Sequence, residues 1–392
     1  MADDVANSFQ NPFKGKMYNK PCTSEADCVD VYEGCAVDYK GNEATAQNFL
    51  KILSGDASAG GKVLKSTSSD KVFVNFVDHG GSGIIAFPKG PYLHASDLVS
   101  TLKAGNSKSL WSKLVFYMEA CESGSMFKGL LPTDINVFAT TAADATEPSW
   151  GTYCPPNDKV NGHNMNTCLG DLYSVNWMED SDRATAAGTF STESLGDQFT
   201  TVKKLTNKSH PLEFGDETFV SDTISQYQGS GAKKAMFSGS KPASAMDEAE
   251  SEMRLASSVD SRDIAVHLKF FEYMRATDME SRHTASQALV AELQHREQLD
   301  QRFRQIAVGL FGASMHEHEL EHPMQPANFK CIKTANAMLR DVCTDYDDYS
   351  LKYSHLLVNA CEKGLSFDVI NTALRAVCAP TVFKAEKQLD LV

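Results

Sequence analysis

Three runs of mostly apolar residues stand out in the first half of the chain, at positions 71–77, 114–120 and 135–141. Each run is short and rich in β-branched and aromatic side chains, as buried strands are. A polar turn and a helix-length stretch near residues 96–104 separate the first two runs. Strands that alternate with helix-length connections are typical of a parallel sheet with helices on its faces. The pattern therefore predicts an α/β domain of this architecture.

The hydrophobic pattern changes after Gln228. Residues 229–258 are rich in Gly, Ser, Ala and Lys, a composition that predicts an exposed linker. From residue 259 to 311 apolar side chains recur at three- and four-residue spacing, which predicts helix. Further helical runs follow. We expect a first domain at residues 1–228, a linker at 229–258 and a helical region at 259–392.

Acidic residues outnumber basic ones, 51 to 37, which gives the 392-residue chain a formal net charge of −14. Such a chain has no basic stripe to neutralise phosphates, so we expect no nucleic acid partner. No apolar run approaches the roughly eighteen residues of a membrane span, and we expect no membrane partner. Repulsion among so many carboxylates relaxes as they are protonated, which suits a protein that works in an acidic compartment.

All but one of the ten cysteines fall in groups, namely Cys22, Cys28 and Cys35, then Cys154 and Cys168, then Cys331, Cys343, Cys361 and Cys378. Clusters of this kind indicate disulfides formed in an oxidising compartment, and Asn207 heads a candidate N-glycosylation sequon. Cys154 and Cys168 are candidates for a disulfide across a short loop. The first group has an odd member and no nearby histidine, which favours one disulfide and one free thiol over a zinc site.

The ungrouped cysteine, Cys121, follows the second apolar run, and Asp78-His79-Gly80-Gly81 follows the first. Because ligands bind beyond the carboxyl ends of parallel strands, His79 and Cys121 are expected to be neighbours at such a site. A cysteine nucleophile needs a histidine to donate a proton to the leaving amine, and backbone N–H groups to face the oxyanion. Each residue taken singly fits a buried cysteine or a turn histidine better. Taken together at the ends of two parallel strands, the two residues fit a catalytic dyad as well as they fit this structural interpretation.

The two strand ends, VDHGG at residues 77–81 and YMEACESGSM at 117–126, closely resemble the histidine and cysteine motifs of the legumain family of asparaginyl endopeptidases. The likeness extends to ATTA at 139–142, SWG at 149–151 and LGDLYSVNWMEDSD at 169–182. The last block is specific to this family, and the whole match spans about residues 3–228. The C-terminal helices that contain cysteines resemble the family's inhibitory prodomain more loosely.

The resemblance implies a caspase-like, mostly parallel sheet with helices on both faces, followed by a small all-α prodomain pinned by disulfides. It implies a cysteine endopeptidase that cleaves after Asn, and after Asp at acid pH, that is made as a zymogen, and that in some members is also a transpeptidase. The implied location is a vacuole or lysosome reached through the secretory pathway. The implied partners are peptide and protein substrates and the chain's own prodomain. We expect no cofactor and no metal.

Residue roles follow from the matched motif positions. Cys121 matches the nucleophile, His79 the general acid/base, and the amides of Gly80 and Cys121 the oxyanion hole. Asp78 matches a position that in the family can cyclise to a succinimide. The family's prodomain cysteines pair first with third and second with fourth, which implies the disulfides Cys331–Cys361 and Cys343–Cys378.

Three further residues match the pocket that receives the substrate's Asn side chain: Glu119, Ser149 and Asp171. A neutral amide presents both a donor and an acceptor, so two carboxylates and a cation make chemical sense in such a pocket. Without the resemblance, Glu119 and Asp171 would be interpreted as solvated surface carboxylates.

Activation in the family proceeds by self-cleavage between protease and prodomain. No Asn occurs between Asn207 and Asn328, so self-cleavage there has to use Asp. The candidate sites are Asp247, Asp260, Asp263 and Asp278. We expect self-processing only in acid, where a protonated Asp resembles Asn.

The sequence departs from the family pattern at its start. Family members begin with a strand whose Ala-Gly-Ser-Asn-like motif orients the histidine, and an Arg soon afterwards lines the pocket. Neither has a counterpart in residues 1–392. We therefore expect the signal peptide and the N-terminal strands of the catalytic sheet to be missing from this sequence. Two alternatives stay open: a catalytically inactive relative that acts as a binding or inhibitory module, and a caspase-like peptidase with basic specificity.

Overall fold

The computed structural model describes residues 5–229, 252–344 and 346–378. The chain divides into two compact units, Met1–His295 and Arg296–Val392. Within the described residues, no helix is both long enough and apolar enough to cross a membrane.

The first unit is built on a four-stranded sheet with the order β1-β5-β6-β11. Strands β1, β5 and β6 are parallel, and β11 pairs antiparallel with β6. This arrangement confirms the α/β class and the mostly parallel sheet. The strands of the chain are β1 Lys71–Val77, β2 Gly80–Gly81, β3 Ile84–Ile85, β4 Leu93–His94, β5 Lys113–Glu119, β6 Val137–Thr141, β7 Trp150–Thr152, β8 Lys159–Val160, β9 His163–Asn164, β10 Gly170–Asp171, β11 Leu212–Gly215 and β12 Val259–Asp260.

Helices cover both faces of this sheet. The named α-helices of the chain are α1 Ala46–Leu53, α2 Ala95–Ser107, α3 Leu172–Ala187, α4 Leu195–Leu205, α5 Ser225–Gln228, α6 Ile264–Arg275, α7 Met279–Phe311, α8 His316–Glu321, α9 Phe329–Val342, α10 Ser354–Glu362 and α11 Phe367–Cys378. Short 3-10 helices lie at Val5–Asn7, Gly41–Glu43, Ala57–Ala59, Ser123–Met126, Glu217–Phe219 and Tyr349–Tyr353.

The central strand β5 explains why both faces need a cover. All its side chains from Leu114 to Glu119 are buried. Because successive residues of a strand point to opposite faces of the sheet, burial of the whole run requires that both faces be covered. Val115 and Tyr117 pack into a core that also contains side chains of α3 and α4. On the other face the ring of Phe116 meets that of Phe49 on α1, with centroids 6.4 Å apart.

The first unit also contains a small three-stranded sheet, ordered β10-β7-β12. The two residues of β12 pair antiparallel with β7, through Val259↔Gly151 and Asp260↔Trp150. The uninterrupted helix predicted from residue 259 to 311 is therefore wrong at its start. Pairing with β7 keeps residues 259–260 extended, a tertiary effect that helical periodicity does not contain.

The predicted helix is also broken at residues 276–278. Ala276 is extended, and the next helix is capped by Asp278, whose Oδ1 accepts a hydrogen bond from the Ser281 N–H at 2.8 Å. An Asp in this position satisfies one of the free N–H groups at a helix start. The break divides the pattern into α6 and α7.

The described part of the predicted linker, residues 252–258, is not exposed throughout. Residues 252–256 are helical, and Arg254 and Ser257 are buried, with Arg254 only 2% exposed. Its small and polar residues predicted an exposed segment. In the structure these polar groups are buried because they form hydrogen bonds and an ion pair with the rest of the first unit. Asp247 lies outside the described residues.

The second unit consists of the C-terminal end of α7 with α8 to α11. Two disulfides, Cys331–Cys361 and Cys343–Cys378, join α9 to α10 and the end of α9 to α11. The pairing is the one that the resemblance implies. Buried apolar residues of this unit include Leu299, Phe303, Ile332, Leu356 and Leu374.

Candidate active site

The register of β1 against β5 brings the two strand ends together. Val77 lies opposite Glu119, and the N–H of Asp78 donates to the carbonyl of Glu119 at 3.2 Å. His79 and Cys121 each follow two residues later at this edge of the sheet. The structure therefore places both residues of the predicted dyad at the same carboxyl edge.

Gly80 lies directly against the residue that contains the thiol. A methyl group at its Cα would lie 2.1 Å from the carbonyl oxygen of Cys121. No other residue type fits this contact without moving the backbone.

The side chain of Asp78 contacts the backbone of the next residue. Its Oδ1 atom accepts a hydrogen bond from the His79 N–H at 2.7 Å. The carboxyl of Asp78 is thus held next to the backbone nitrogen with which a succinimide would form.

The thiol of Cys121 is buried and free. The Ser149 N–H donates to its Sγ atom at 3.4 Å, and the Ser149 Oγ atom lies 3.6 Å from Sγ. Burial raises the pKa of the thiol to about 11, although the positive charge of Arg262 acts in the opposite direction. In this state the cysteine is protonated, so the site is held in a form with little thiolate.

The predicted pocket residues Glu119 and Asp171 carry interacting carboxyl groups. Glu119 is 2% exposed, and its Oε2 atom accepts hydrogen bonds from the N–H and Oγ–H of Ser174, at 2.8 and 2.9 Å. Its Oε1 atom is buried without a hydrogen-bond partner among the described residues. Burial, and then the charge of Asp171, raise the pKa of Glu119 well above its usual value. Burial raises that of Asp171 to about 6, while His79 acts to lower it.

The activation segment, which we define as residues 259–275, enters the site. In addition to the pairing of β12 with β7, the Ser261 N–H donates to the Ser149 carbonyl at 3.0 Å, and the two Oγ atoms are 3.1 Å apart. Arg262 forms an ion pair with Glu122, the residue after the thiol, at 2.5 Å. Burial raises the pKa of Glu122 to about 7 against the opposing effect of Arg262. Sequence reasoning did not identify Ser261, Arg262 or Glu122.

The described self-cleavage candidates differ in their surroundings. Asp260 belongs to β12, and its Oδ1 atom accepts from the Arg262 N–H at 2.9 Å within a tight turn. Asp263 immediately precedes α6. Asp278 caps α7 in solvent, and the backbone hydrogen bond from Ser281 lowers its pKa. Only Asp260 and Asp263 lie within the activation segment beside the thiol.

Eight of the other nine cysteines form four disulfides. Cys154 pairs with Cys168, Cys22 pairs with Cys28, and Cys35 is a free, exposed thiol. The first group therefore contains one disulfide and one free thiol. Asn207, the candidate glycosylation residue, is exposed in a turn after α4.

The residues from 142 to 149 form a loop, the 142–149 loop, that contacts the residue after Cys121. Its Glu147 carbonyl accepts from the Glu122 N–H at 2.8 Å. The Glu147 side chain in turn pairs with His210: Oε2 lies 2.8 Å from Nδ1, and Oε1 accepts a hydrogen bond from the backbone N–H of His210 at 2.6 Å. Asp144, Glu147 and His210 are also the described group whose ligand atoms could hold a metal ion, all within 4.8 Å of one another. Because Glu147 and His210 already pair with each other, we interpret the pair as a contact that stabilises the loop, and we call it the Glu147–His210 brace.

The fold and the site define a cysteine peptidase of the α/β class with a separate helical C-terminal unit. The family model of the peptidase C13 family matches residues 1–230, and that of the legumain prodomain matches residues 287–378. The chain therefore belongs to the peptidase C13, or legumain, family and is a legumain-type cysteine endopeptidase with a prodomain.

Individual relatives agree with this assignment. The chain is 36% identical to a vacuolar-processing enzyme of Vicia sativa, covering 97% of this chain and 77% of that protein. It is 36% identical to the hemoglobinase of Schistosoma japonicum, covering 96% of this chain and 83% of that protein. Among solved structures, caspase-1 from Spodoptera frugiperda is similar at a TM-score of 0.32 and 12% identity, over 47% of this chain and 75% of that chain. That structural similarity is too low to support any functional argument.

The contact at Gly80 predicts the effect of one added methyl group. In Gly80→Ala the backbone has to move away from the Cys121 carbonyl, and a displacement of about 1 Å at a catalytic group costs about 100-fold in kcat/KM. Peptidase assays on the activated protein check this. Gly196→Ala is the matched control, because its added methyl group would lie 3.6 Å from the nearest atom. Equal activity of the two variants would contradict the prediction.

The Glu147–His210 brace predicts a pH-dependent stability. Glu147 raises the pKa of His210, with a smaller contribution from Asp144 and an opposing one from Lys203. A raised pKa in the folded state means that the stabilisation is complete below about 6.5, the ordinary histidine pKa, and is lost as the pH rises through the folded value. His210→Gln should therefore lower the thermal midpoint at pH 5 but not at pH 8. His283→Gln, at an exposed helix position, is the control; a deficit for His210→Gln that is equal at both pH values would exclude the brace.

Proposed function

We propose that this protein is the zymogen of an asparaginyl endopeptidase that acts in a vacuole or lysosome. The observation that supports the proposal is that His79 and Cys121 follow paired strands at one carboxyl edge, with Asp171 of β10 close enough for its charge to act on Glu119 and to be affected by that of His79. Family membership supports the peptidase chemistry. The Glu119–Asp171 carboxyl pair supports the proposed specificity, which is cleavage of the substrate after Asn.

In the proposed reaction His79 accepts the proton of the Cys121 thiol, and the thiolate attacks the substrate carbonyl carbon. The amides of Gly80 and Cys121 donate to the oxyanion. The C–N bond then breaks as His79 returns the proton to the leaving amine, which leaves a thioester. Water attacks the thioester, the C–S bond breaks and the thiol is restored. When a peptide amine attacks in place of water, the product is a new peptide bond, which is the transpeptidase reaction.

Specificity is proposed to come from the shared protonation of Glu119 and Asp171. Because Glu119 is buried and its carboxyl repels that of Asp171 when both are ionised, the pair holds a proton more readily than isolated carboxyls do. One protonated and one ionised group offer a donor and an acceptor, the complement of a side-chain amide. A substrate Asp fits the same pair only after protonation, which requires acid.

Autoinhibition is proposed to use the same edge that binds substrate. A peptide substrate adds to the exposed edge of a sheet through its backbone, and β12 occupies that edge of β7. The Arg262–Glu122 ion pair fixes the activation segment beside the buried thiol. As the pH falls below about 7, Glu122 becomes protonated and the attraction to Arg262 weakens. Acid therefore favours release of the segment.

The proposed location rests on two observations. Several relatives are named vacuolar-processing enzymes, and the described residues contain four disulfides, which form in oxidising compartments. An inactive binding or inhibitory relative is the alternative. The intact arrangement of His79, Gly80 and Cys121 favours the enzyme.

A substrate panel tests the function directly. After acid treatment the full chain should cleave peptides after Asn from pH 4 to 7, but after Asp only toward the acid end. Cys121→Ala should lower kcat/KM by roughly 10⁴-fold or more, whereas Cys35→Ser, which removes the exposed free thiol, should leave it unchanged. Adding an amine peptide should yield ligated product if transpeptidation occurs. A wild-type protein no more active than Cys121→Ala would favour the inactive alternative.

Self-processing should depend on protonation of Asp260. Asp260→Asn keeps the side-chain oxygen that accepts from Arg262 and removes the need for acid at the cut residue. The pH at which half of the zymogen is processed, followed by gel electrophoresis and mass spectrometry, should therefore rise toward neutral. Asp278→Asn is the matched control at an exposed helix cap. An unchanged midpoint in Asp260→Asn would show that another group controls processing.

A further inference from the structure

Three side chains with metal-binding atoms meet beside the turn that contains the nucleophile. The ligand atoms of Asp144, Glu147 and His210 all lie within 4.8 Å of one another. The two carboxylates belong to the 142–149 loop, whereas His210 comes two residues before β11. Sequence spacing does not indicate this group, because 63 positions separate Glu147 from His210. Imidazole nitrogen and carboxylate oxygen are both donors that bind Zn²⁺.

The Glu147–His210 brace has nearly the spacing of two metal ligands. The Nδ1 atom of His210 lies 2.8 Å from the Oε2 atom of Glu147. Two donors bound tetrahedrally to one Zn²⁺ ion lie roughly 3.4 Å apart, because each bond is about 2.0–2.2 Å long. The ion can therefore take the place of the hydrogen between these two atoms if they separate by roughly 0.6 Å. The brace is then the metal-free form of the site.

One oxygen of each carboxylate is used to orient the side chain. Glu147 Oε1 accepts from the backbone N–H groups of Asp144 and His210, at 2.8 and 2.6 Å. Asp144 Oδ1 accepts from the N–H and the hydroxyl of Thr146, at 2.7 and 3.0 Å. Hydrogen bonds of this kind fix the orientation of metal ligands. They leave Glu147 Oε2 and Asp144 Oδ2 to bind an ion.

The position and charge of the group suit a cation that enters from solvent. The His210 side chain is 78% exposed and that of Glu147 is 20% exposed, so an ion has an entry path and water can complete its coordination. Lys203 is a positive group that acts on His210. The two carboxylates outweigh it, so the group attracts a doubly charged ion.

The ligands lie on a loop that contacts the turn after the nucleophile. The Glu122 N–H donates to the Glu147 carbonyl at 2.8 Å, and the Gly124 N–H lies 3.2 Å from the Asp144 carbonyl oxygen. A methyl group at Gly124 would lie only 2.8 Å from the carbonyl carbon of Asp144, so the two segments are closely packed. An ion that joins Asp144 and Glu147 to His210 would therefore restrain the backbone that holds this turn.

We infer that Asp144, Glu147 and His210 form a binding site for Zn²⁺, and that the bound ion fixes the 142–149 loop against the turn that follows Cys121. The inference concerns metal binding and does not depend on the proposed specificity or self-processing. Ca²⁺ and Mg²⁺ bind this site poorly, because both ions favour six or more oxygen ligands.

Metal titration of the full chain tests the site. The reference protein is Cys35→Ser/Cys121→Ala, which lacks both free thiols and therefore their own affinity for metal. Isothermal titration near neutral pH should give one Zn²⁺ bound per chain, and Co²⁺ should show the visible absorption bands of a four-coordinate ion. At about a tenfold excess of free Zn²⁺ over its dissociation constant, the thermal midpoint should rise by roughly 2–4 °C. A reference protein that binds no Zn²⁺ would overturn the inference.

A matched pair of aspartate variants locates the ion. Asp144→Asn keeps the acceptor for Thr146 and leaves the Glu147–His210 brace in place, so the metal-free thermal midpoint should change little. Its affinity for Zn²⁺ should nevertheless fall at least 10-fold, because one anionic ligand is lost. Asp134→Asn, at an exposed position, should bind Zn²⁺ as the reference does. Equal affinities in the two variants would show that the ion binds elsewhere.

The competing site is a pair of exposed histidines in the second unit. The rings of His318 and His322 stack with their centroids 4.1 Å apart. His318→Gln/His322→Gln should keep the affinity of the reference protein. Loss of Zn²⁺ binding in this variant would overturn the assignment to Asp144, Glu147 and His210.

Hydrogen exchange followed by mass spectrometry tests the effect on the loop. Saturating Zn²⁺ should slow exchange several-fold in peptides that contain the N–H groups of Glu122 and Gly124, because their acceptors lie on the restrained loop. The same Zn²⁺ concentration should have no such effect on Asp144→Asn. Unchanged exchange in the reference protein with Zn²⁺ bound would refute the proposed contact between the ion and the nucleophile's turn.

Discussion

The parallel pairing of β1 with β5 is the constraint on which the rest of the site depends. Its register sets Val77 opposite Glu119, and each feature of the site follows within a few residues of that pair. His79 and Gly80 continue from one strand, Cys121 and Glu122 from the other. A shift of a single residue would turn every side chain of β5 to the opposite face of the sheet and move the thiol away from the histidine. The aromatic and β-branched side chains on both faces of β5 oppose such a shift.

Carboxyl groups within the first unit are the second recurring feature. Glu119 and Asp171 lie close enough to repel, while Glu122, Asp158 and Glu179 are each paired with an arginine that follows residue 251. The later part of the chain thus supplies the positive charge that balances these three carboxylates. Lowering the pH protonates Glu119, Asp171 and Glu122, whose pKa values are raised by burial. In the proposed mechanism this protonation favours both release of the activation segment and acceptance of an acidic substrate side chain.

Local sequence signals were sufficient where a single element carries the information. The three core strands, the helix between the first two, and the strand-end motifs around His79 and Cys121 were predictable because burial and turn chemistry repeat along a few adjacent residues. The disulfide pairings of the prodomain and the pocket residues came from the family resemblance. Neither spacing nor composition would have selected Glu119 and Asp171 from the 51 acidic residues of the chain.

The amino-acid sequence by itself determined the α/β class, the family and the identity of the candidate dyad, since these depend on patterns within short segments. Only the tertiary structure decided that Val259 and Asp260 form a strand, that Arg254 is buried and that Arg262 faces Glu122. Each of these features depends on a contact between residues more than 70 positions apart: Arg254 with Glu179, Arg262 with Glu122, and β12 with β7. Until its partner is known, a charged residue that is buried looks in the sequence like one that is solvated. The physical reason is that burial of a charge depends on a countercharge at a particular place, which hydrophobic periodicity does not record.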